Sequence, residues 1–220
     1  MKDTLEVDSV LLEFDSKRIL NDVYLKSETG KITGLLGRNG TGKTCLMNII
    51  YGELIPADKS VRLNKVSFIS DTRNPEDIRY LPQFGFIPKY LTLKQIFKDF
   101  ELDFSDFRTL FPDFEKYFLS KFKSLSGGEQ RIIEIYTILA SKTRFCMLDE
   151  PFTLVMPVHI EPIKSLIVRE KQHKGIIVTD HLYKHIIDIC DDLYVISEGK
   201  TFLIKSLIDL EKLGYIRTID

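Results

Sequence analysis

An eight-residue stretch, Gly37 to Thr44, constrains the fold of this chain more than any other feature. It reads GRNGTGKT and meets the pattern G-x-x-x-x-G-K-[ST]. In that pattern the backbone N–H groups curl around a phosphate at the N-terminus of a helix. The apolar run before it, Ile32 to Leu36, is typical of a short buried strand, and a helix is predicted after it, from about Lys43 to Glu53. This strand–loop–helix order favours phosphate binding over a glycine-rich turn without a chemical role.

Composition excludes several other classes of protein. The 220 residues include 31 basic and 32 acidic side chains, and a net charge of -1 offers no overall attraction to nucleic acid. The three cysteines, Cys45, Cys146 and Cys190, are far apart and odd in number, which favours reduced thiols over disulfides. The N-terminus lacks the apolar core of a signal peptide, and no apolar run approaches the ~18 residues that span a bilayer. We therefore expect a cytoplasmic protein that reaches a membrane only through a partner.

The first half of the chain divides into a strand-rich and a helix-rich part. Val7 to Phe14, Ile19 to Leu25, Ser60 to Ile69 and Ile78 to Leu81 read as strands. From about Pro88 onwards, phenylalanine, lysine and aspartate replace glycine. Apolar spacings near three and four residues predict three short amphipathic helices, at Leu91 to Phe100, Phe104 to Phe111 and Phe114 to Phe122. Core packing alone would account for most of these phenylalanines.

The second half alternates between strands and helices. Strands are predicted at Phe145 to Leu148, Gly175 to Thr179 and Leu193 to Ser197, and helices at His159 to Glu170, Leu182 to Cys190 and Leu207 to Leu213. Such alternation implies a mainly parallel sheet with helices on both faces. Ligands of such sheets bind at the carboxyl ends of the strands, where the glycine loop Gly37 to Thr44 is expected.

The run from Phe145 to Glu150, FCMLDE, ends in two adjacent carboxylates. Burying a charge without a partner is costly, so this ending needs an explanation. In P-loop ATPases the first carboxylate helps to hold Mg²⁺, and the second is placed to deprotonate an attacking water. On its own the pair could equally cap a helix or face solvent. The glycine loop upstream favours the chemical interpretation.

A third motif, LSGGEQ at Leu125 to Gln130, precedes an apolar helical run. Ser126 and Glu129 have the spacing of a capping box at a helix N-terminus. A capping box does not explain Gly127 and Gly128, since glycine inside a helix costs about 1 kcal/mol. Exposed amides at this helix N-terminus would suit a second phosphate contact.

Together these motifs resemble those of the nucleotide-binding subunit of ATP-binding cassette (ABC) transporters, over nearly the whole chain. GRNGTGKT resembles the family's Walker A motif, FCMLDE its Walker B motif and LSGGEQ its signature motif. Gln83 in YLPQFGF matches the glutamine loop, and His181 in VTDHLY matches the switch histidine. The resemblance implies an α/β P-loop NTPase fold with a mainly parallel sheet and an N-terminal antiparallel β part. It also implies a single domain over residues 1–220, with a helical subdomain inserted at residues 89–140.

The resemblance further implies ATP and Mg²⁺ as ligands and gives each motif residue a role. Lys43, Gln83, Glu150 and His181 would be catalytic, with Glu150 as the general base. Thr44, Gln83 and Asp149 would hold the metal. The nucleotide of this subunit would contact the following residues: Gly37, Arg38, Asn39, Gly40, Thr41, Gly42, Lys43, Thr44 and Cys45. Ser126, Gly127 and Gly128 would contact the ATP held by a second subunit.

Two positions leave alternatives open. The family's adenine-stacking aromatic lies upstream of Walker A, where Phe14 is the first candidate and Tyr24 the second. Phe14 could equally be a core residue, because it ends the apolar run LLEF. After Glu150 the family continues with Leu-Asp before a proline, whereas this chain has Met156 before Pro157. That departure puts in doubt one contact across the dimer interface.

The function implied is ATP hydrolysis in an ABC transporter. The chain would dimerise around two MgATP, with a copy of itself or with another ABC ATPase subunit, and power a separate integral membrane permease. It would be peripheral to the membrane through that permease. The alternative is a soluble ABC-type ATPase acting on nucleic acid or the ribosome. Such proteins insert a long coiled coil or fuse two cassettes, and this chain shows neither, so no nucleic acid partner is expected.

Overall fold

The computed structural model describes residues 2–68 and 73–215, which form two β-sheets and their covering helices. The strands in chain order are β1 Thr4–Phe14, β2 Lys17–Leu20, β3 Tyr24–Glu28, β4 Ile32–Gly37, β5 Asp58–Leu63, β6 Val66–Ser67, β7 Ile78–Leu81, β8 Phe145–Asp149, β9 Gly175–Thr179, β10 Asp192–Ser197 and β11 Lys200–Ile204. The α-helices are α1 Lys43–Tyr51, α2 Leu93–Asp99, α3 Phe104–Leu110, α4 Gly127–Ala140, α5 Pro157–Glu170, α6 Tyr183–Ile189 and α7 Leu207–Lys212.

The larger sheet has six strands in the order β11-β10-β4-β9-β8-β7. The five strands β10, β4, β9, β8 and β7 pair in parallel, and only the edge strand β11 pairs antiparallel, with β10. The smaller sheet is antiparallel and N-terminal, with β1 paired to β2, β3 and β5. The predicted fold class, a mainly parallel sheet with an antiparallel N-terminal part, is therefore confirmed.

The core lies on both faces of the larger sheet because its strands are buried on both sides. Along β4, Ile32 and Leu36 pack into the cluster that contains α4, α5 and α6, whereas Leu35 packs into the opposite cluster with α1 and the antiparallel sheet. On β8, Cys146 likewise packs into the first cluster and Met147 into the opposite one. This double coverage explains why the strand segments read as continuous apolar runs.

Two predicted strands were wrong in extent, and one strand was not predicted. The predicted strand Ile19 to Leu25 is broken because the amides of Asn21 and Asp22 turn to the carbonyl of Gly199. Ser60 to Ile69 is divided by a turn at residues 64–65, both with positive φ, and Ile69 itself lies outside the described residues. The strand that was not predicted is β11, a five-residue edge strand.

The phenylalanine-rich part confirms two predicted helices, as α2 and α3. The third, Phe114 to Phe122, was wrong: residues 112–117 and 122–124 form 3₁₀ turns. Backbone bonds from Leu93 to Ser120 and from Phe122 to Leu91 tie this segment to the start of α2 instead of continuing a helix. The aromatic spacing reflects core packing, as four of these rings are fully buried: Phe107, Phe111, Phe114 and Phe122. We propose residues 89–140, between β7 and β8, as the helical subdomain.

The topology gathers four loops at one edge of the larger sheet. Because β4, β7, β8 and β9 run parallel, the loops that follow them all start at the carboxyl ends of these strands. The glycine loop follows β4, Gln83 follows β7, Glu150 follows β8 and His181 follows β9. Within residues 2–68 and 73–215, no helix is long and apolar enough to cross a membrane.

Candidate functional site

The glycine loop joins β4 to α1 through left-handed backbone. Gly40 has φ +78° and Gly42, the N-cap of α1, has φ +100°, a region that residues with a side chain rarely adopt. A Cβ at Gly42 would also lie 2.9 Å from Leu20 of β2. The glycines thus let the loop turn tightly and leave the N-terminal amides of α1 facing outwards, as an anion site requires.

Lys43 places a cation at the centre of this loop. Its Nζ donates hydrogen bonds to the carbonyl oxygens of Gly37, at 2.7 Å, and Arg38, at 3.2 Å. Burial lowers the pKa of Lys43, while the carboxylates of Glu150 and Asp149 oppose that shift. The loop carbonyls therefore hold the ammonium group in place beside the helix N-terminus.

Asp149, the last residue of β8, is fully buried, and burial raises the pKa of its carboxyl. Its Oδ2 accepts a hydrogen bond from the Tyr80 hydroxyl at 3.2 Å, and a hydrogen-bonding interaction with Thr44 partly offsets the pKa shift. Oδ1 is buried and has no hydrogen-bond partner among the described residues. An orphaned carboxylate oxygen beside a threonine hydroxyl fits an Mg²⁺ ion, which prefers such hard oxygen ligands.

The Glu150 side chain lies between two other loops of the site. Its φ is +52°, a costly conformation for a residue with a side chain. Oε1 lies 2.5 Å from Nε2 of His181, and Oε2 accepts a hydrogen bond from Nε2 of Gln83 at 3.0 Å. The loops after β7 and β9 thus hold both oxygens of this carboxylate.

One open cavity of about 290 Å³ joins these groups. It is lined by Asn39, Gly40, Gly42, Lys43, Thr44, Cys45, Gln83, Glu150 and His181. Most of the glycine loop therefore lies with all four residues predicted to be catalytic. Asp149 lies beneath this cavity, through its interactions with Thr44 and Lys43.

Three residues of the glycine loop do not line the cavity. Gly37 ends β4 and is buried in the sheet. Arg38 turns to the C-terminal segment, where its Nη2 donates to the Gly214 carbonyl at 2.5 Å. The Thr41 hydroxyl donates to the Arg38 carbonyl at 2.9 Å and so closes the loop. The side chains of Arg38 and Thr41 thus bond to backbone carbonyls of their own chain.

The two aromatic candidates for adenine are both at the surface. Phe14 is 48% exposed at the end of β1, so the alternative of a core residue is wrong. Tyr24 is similarly exposed, but its hydroxyl donates to Oε1 of Glu6 at 3.2 Å. Neither ring lines the cavity, and Phe14 is the one without a competing hydrogen bond.

The N-terminus of α4 lies outside the glycine-loop cavity and is formed by the signature residues, with Ser126 as N-cap followed by Gly127 and Gly128. The predicted capping box is confirmed, since the Ser126 side chain accepts from the Glu129 amide while Glu129 accepts from the Ser126 amide. Ser126 and Gly128 line a second cavity of about 440 Å³, together with Leu154 and other residues. They do not reach the cavity of the glycine loop on their own chain.

Comparisons with known proteins point to one family. The family model described as ABC transporter matches residues 20–153. The lipopolysaccharide export system ATP-binding protein LptB of Escherichia coli (strain K12) is 32% identical over 212 residues, covering 89% of this chain and 88% of LptB. A solved structure described as the ATP-binding subunit of an ABC transporter has a TM-score of 0.79 at 20% identity, covering 96% of this chain and 93% of that one. An uncharacterized ABC transporter ATP-binding protein of Rhizobium meliloti is 33% identical over 213 residues, covering 90% of this chain and 78% of that protein.

The chain belongs to the ABC transporter family. It is an ATP-binding subunit of that family, and such subunits are ATPases. These relatives favour the transporter interpretation over the alternative of a soluble ATPase acting on nucleic acid or the ribosome.

Sequence reasoning missed several residues that hold the ABC site together. Asp180, buried before His181, accepts from the amides of Phe152 and Leu182 and so ties the loop after β9 to the loop after β8. Arg131 and Glu134 are charged residues on the buried side of α4. Their signal was visible, because two charges inside an apolar helical run require partners.

Proposed function

We propose that this ABC ATPase binds ATP in the 290 Å³ cavity and hydrolyses it with Glu150 as the general base. The observation that carries the proposal is the convergence of Lys43, Gln83, Glu150 and His181 on that cavity. The glycine-loop amides and the Lys43 ammonium are the groups suited to the β- and γ-phosphates. On binding, the phosphates would replace the loop carbonyls as partners of Lys43.

The proposed reaction is an in-line attack of water on the γ-phosphorus of ATP, in which the bond to the β–γ bridging oxygen breaks and ADP leaves. The Glu150 carboxylate accepts the proton of that water, the Gln83 amide orients the water, and His181 donates to a γ-phosphate oxygen. Lys43 offsets the negative charge that develops on the phosphate oxygens. We propose that Mg²⁺ is held by Thr44, Gln83 and Asp149, where it would neutralise phosphate charge.

We further propose that two subunits close around two nucleotides. The support is the separation of the signature residues from their own chain's glycine-loop cavity, which leaves Ser126, Gly127 and Gly128 free to contact ATP bound by a partner. Exposed amides and the Ser126 hydroxyl at the start of α4 suit a γ-phosphate. Phe14 is the proposed adenine-stacking ring, because it is exposed and upstream of the loop.

A permease is the proposed partner at the loop after β7. Phe84, directly after Gln83, is 80% exposed, and Tyr90 is also exposed. Large apolar side chains of this kind on one loop suit docking of an apolar segment from another protein. We propose a cytoplasmic subunit that is peripheral to the membrane through this contact and powers transport by the permease.

Trapping the dimer tests the proposed site. Glu150→Gln keeps the shape of the side chain but cannot accept the proton of the water, so ATP should stay bound and uncleaved. With MgATP the variant should elute as a dimer in size-exclusion chromatography, and without nucleotide as a monomer. The matched control, Lys43→Ala with Glu150→Gln, should stay monomeric. A Glu150→Gln protein that binds MgATP and remains monomeric would contradict the dimer, and failure to bind MgATP would contradict the site.

A further inference from the structure

Glu134 lies in the middle of α4, 3% exposed, and faces the segment that follows Gln83. Its Oε1 accepts hydrogen bonds from the backbone amides of Phe86, at 3.0 Å, and Ile87, at 3.5 Å. A Cβ on Gly85 would lie 3.0 Å from the same oxygen, so the segment touches the carboxylate closely. A helical side chain thus supplies the acceptor for two amides of residues 84–87.

Arg131, one turn earlier on α4, is the buried partner of this carboxylate. Its Nη1 lies 3.5 Å from Oε2 of Glu134 and donates to the carbonyl of Pro82 at 2.8 Å. Its Nη2 donates to the carbonyls of Asp149, at 2.6 Å, and Glu150, at 3.2 Å. One guanidinium therefore connects the loop that carries Gln83 with the backbone of the two acidic residues at the end of β8.

The geometry points to Glu134 as a positioning residue for ATP hydrolysis, which acts on Glu150 and Gln83 through Arg131 and the 84–87 segment. The guanidinium is planar, and its donors have fixed directions, so the carbonyls that it binds must move together. If the 84–87 segment moves away, the Glu134 carboxylate stays buried but loses its two amide donors. That arrangement is unfavourable, because a buried charged group without hydrogen-bond partners raises the free energy of the protein. The position of that segment and the position of the Glu150 backbone are thereby coupled.

This inference rests on the proposed function and extends it to the partner. Phe84, the exposed residue proposed to contact the permease, is in the segment that Glu134 holds. A docked permease that shifts this segment would alter the contact between Glu134 and Arg131. The position of Arg131 would then change the orientation of the Glu150 carboxylate. The Arg131–Glu134 pair thus adds a second connection, through α4, to the direct hydrogen bond from Gln83 to Glu150.

The test compares Glu134→Ala with Glu134→Gln in steady-state hydrolysis of MgATP by the full chain. Glu134→Ala removes both the amide acceptor and the charge, whereas Glu134→Gln keeps an acceptor oxygen and loses only the charge. We expect kcat to fall about tenfold to a hundredfold in Glu134→Ala, since small misplacements of catalytic groups have effects of that size. Glu134→Gln should recover part of this loss, and KM for ATP and the calorimetric Kd should change less than about threefold in both.

Thr137→Val is the matched control. Thr137 is fully buried one turn further along α4, and among the described residues its hydroxyl bonds only to the Glu134 carbonyl of its own helix. The variant should lower the melting temperature without lowering kcat. If Glu134→Ala does not fold, Glu134→Gln decides the question alone, by a lower kcat at unchanged Kd.

Three results would overturn the inference. If both Glu134 variants keep the kcat of the parent protein, the Arg131–Glu134 pair has only a structural role in the interior. A loss of ATP affinity at unchanged kcat would assign Glu134 to binding. An equal fall of kcat in Thr137→Val would show a general loss of helix stability. All of these leave the proposed function intact if the parent protein hydrolyses ATP and Glu150→Gln does not.

Discussion

Nε2 of His181 lies 2.5 Å from Oε1 of Glu150. The histidine comes from the loop after β9 and the glutamate from the loop after β8, so neighbouring parallel strands set this distance. Gln83, after β7, bonds the other oxygen. The carboxylate proposed as general base is therefore held in position before any nucleotide binds.

Removing the histidine should release one side of that carboxylate. We expect His181→Ala to lower kcat by about tenfold to a hundredfold, because Glu150 loses an orienting partner and the γ-phosphate loses a donor. The Kd for MgATP, measured by calorimetry, should change little. His173→Ala, an exposed histidine outside the cavity, is the control and should keep the parent kcat. If His181→Ala keeps the kcat of the parent protein, His181 has no role in hydrolysis.

The buried Asp149 carboxylate should destabilise the nucleotide-free protein. Burial raises its pKa, so between the unfolded and folded pKa values the folded state binds more protons. Stability therefore falls as pH rises through that window, and the charge is unfavourable at neutral pH. Asp149→Asn should raise the melting temperature of the nucleotide-free protein and weaken the Mg²⁺ dependence of ATP binding.

The control for this prediction is Asp22→Asn, an exposed carboxylate on the surface. It should leave both the melting temperature and the Mg²⁺ dependence unchanged. A lower melting temperature for Asp149→Asn would contradict the prediction, since it would show that the charged form is stabilised by the fold.

Met156 offers a test of the departure from the family pattern. It is the N-cap of α5, its side chain makes no capping hydrogen bond, and Pro157 takes the first helical position. Met156→Asp should stabilise the protein by about 1 kcal/mol. In a chain of this size that corresponds to about 2–4 °C in melting temperature. Met156→Ala should give no gain, and equal melting of the two variants would show that no cap was formed.

The two signature glycines should respond differently to the same substitution. A Cβ at Gly127 would meet no atom within 4 Å, whereas one at Gly128 would lie 2.5 Å from the carbonyl oxygen of Leu154. Gly128→Ala should therefore lower the free energy of unfolding, measured with urea and no nucleotide, by about 1–3 kcal/mol. Gly127→Ala should be neutral or slightly stabilising. Equal effects would contradict the close packing of α4 against the loop after Glu150.

The sequence predicted the parts of the fold that depend on local pattern. The glycine loop located β4 and α1, and the two carboxylates located the end of β8, because in both cases an apolar run stands next to a local chemical signal. The order of strands in the sheet, which brings Gln83 and His181 to either side of Glu150, depends on pairings between distant segments. Those pairings came only from the structure.

The errors have the same origin. The amides of Asn21 and Asp22 break a strand by bonding to Gly199, which is far away in the chain. Phe14 ends an apolar run yet is exposed, because it sits at the turn between β1 and β2. Apart from each other, Arg131 and Glu134 bond to backbone groups of distant segments, which a sequence pattern does not identify.

Hydrolysis of MgATP by the purified parent protein and by Glu150→Gln tests the central claim most directly. The parent should release phosphate in steady state. Glu150→Gln should bind MgATP with similar affinity and lower kcat by about a hundredfold or more, as expected when a general base is removed. Phosphate release at the parent rate by Glu150→Gln, at equal ATP affinity, would contradict the account, because a carboxylate held by His181 and Gln83 would then not be the base.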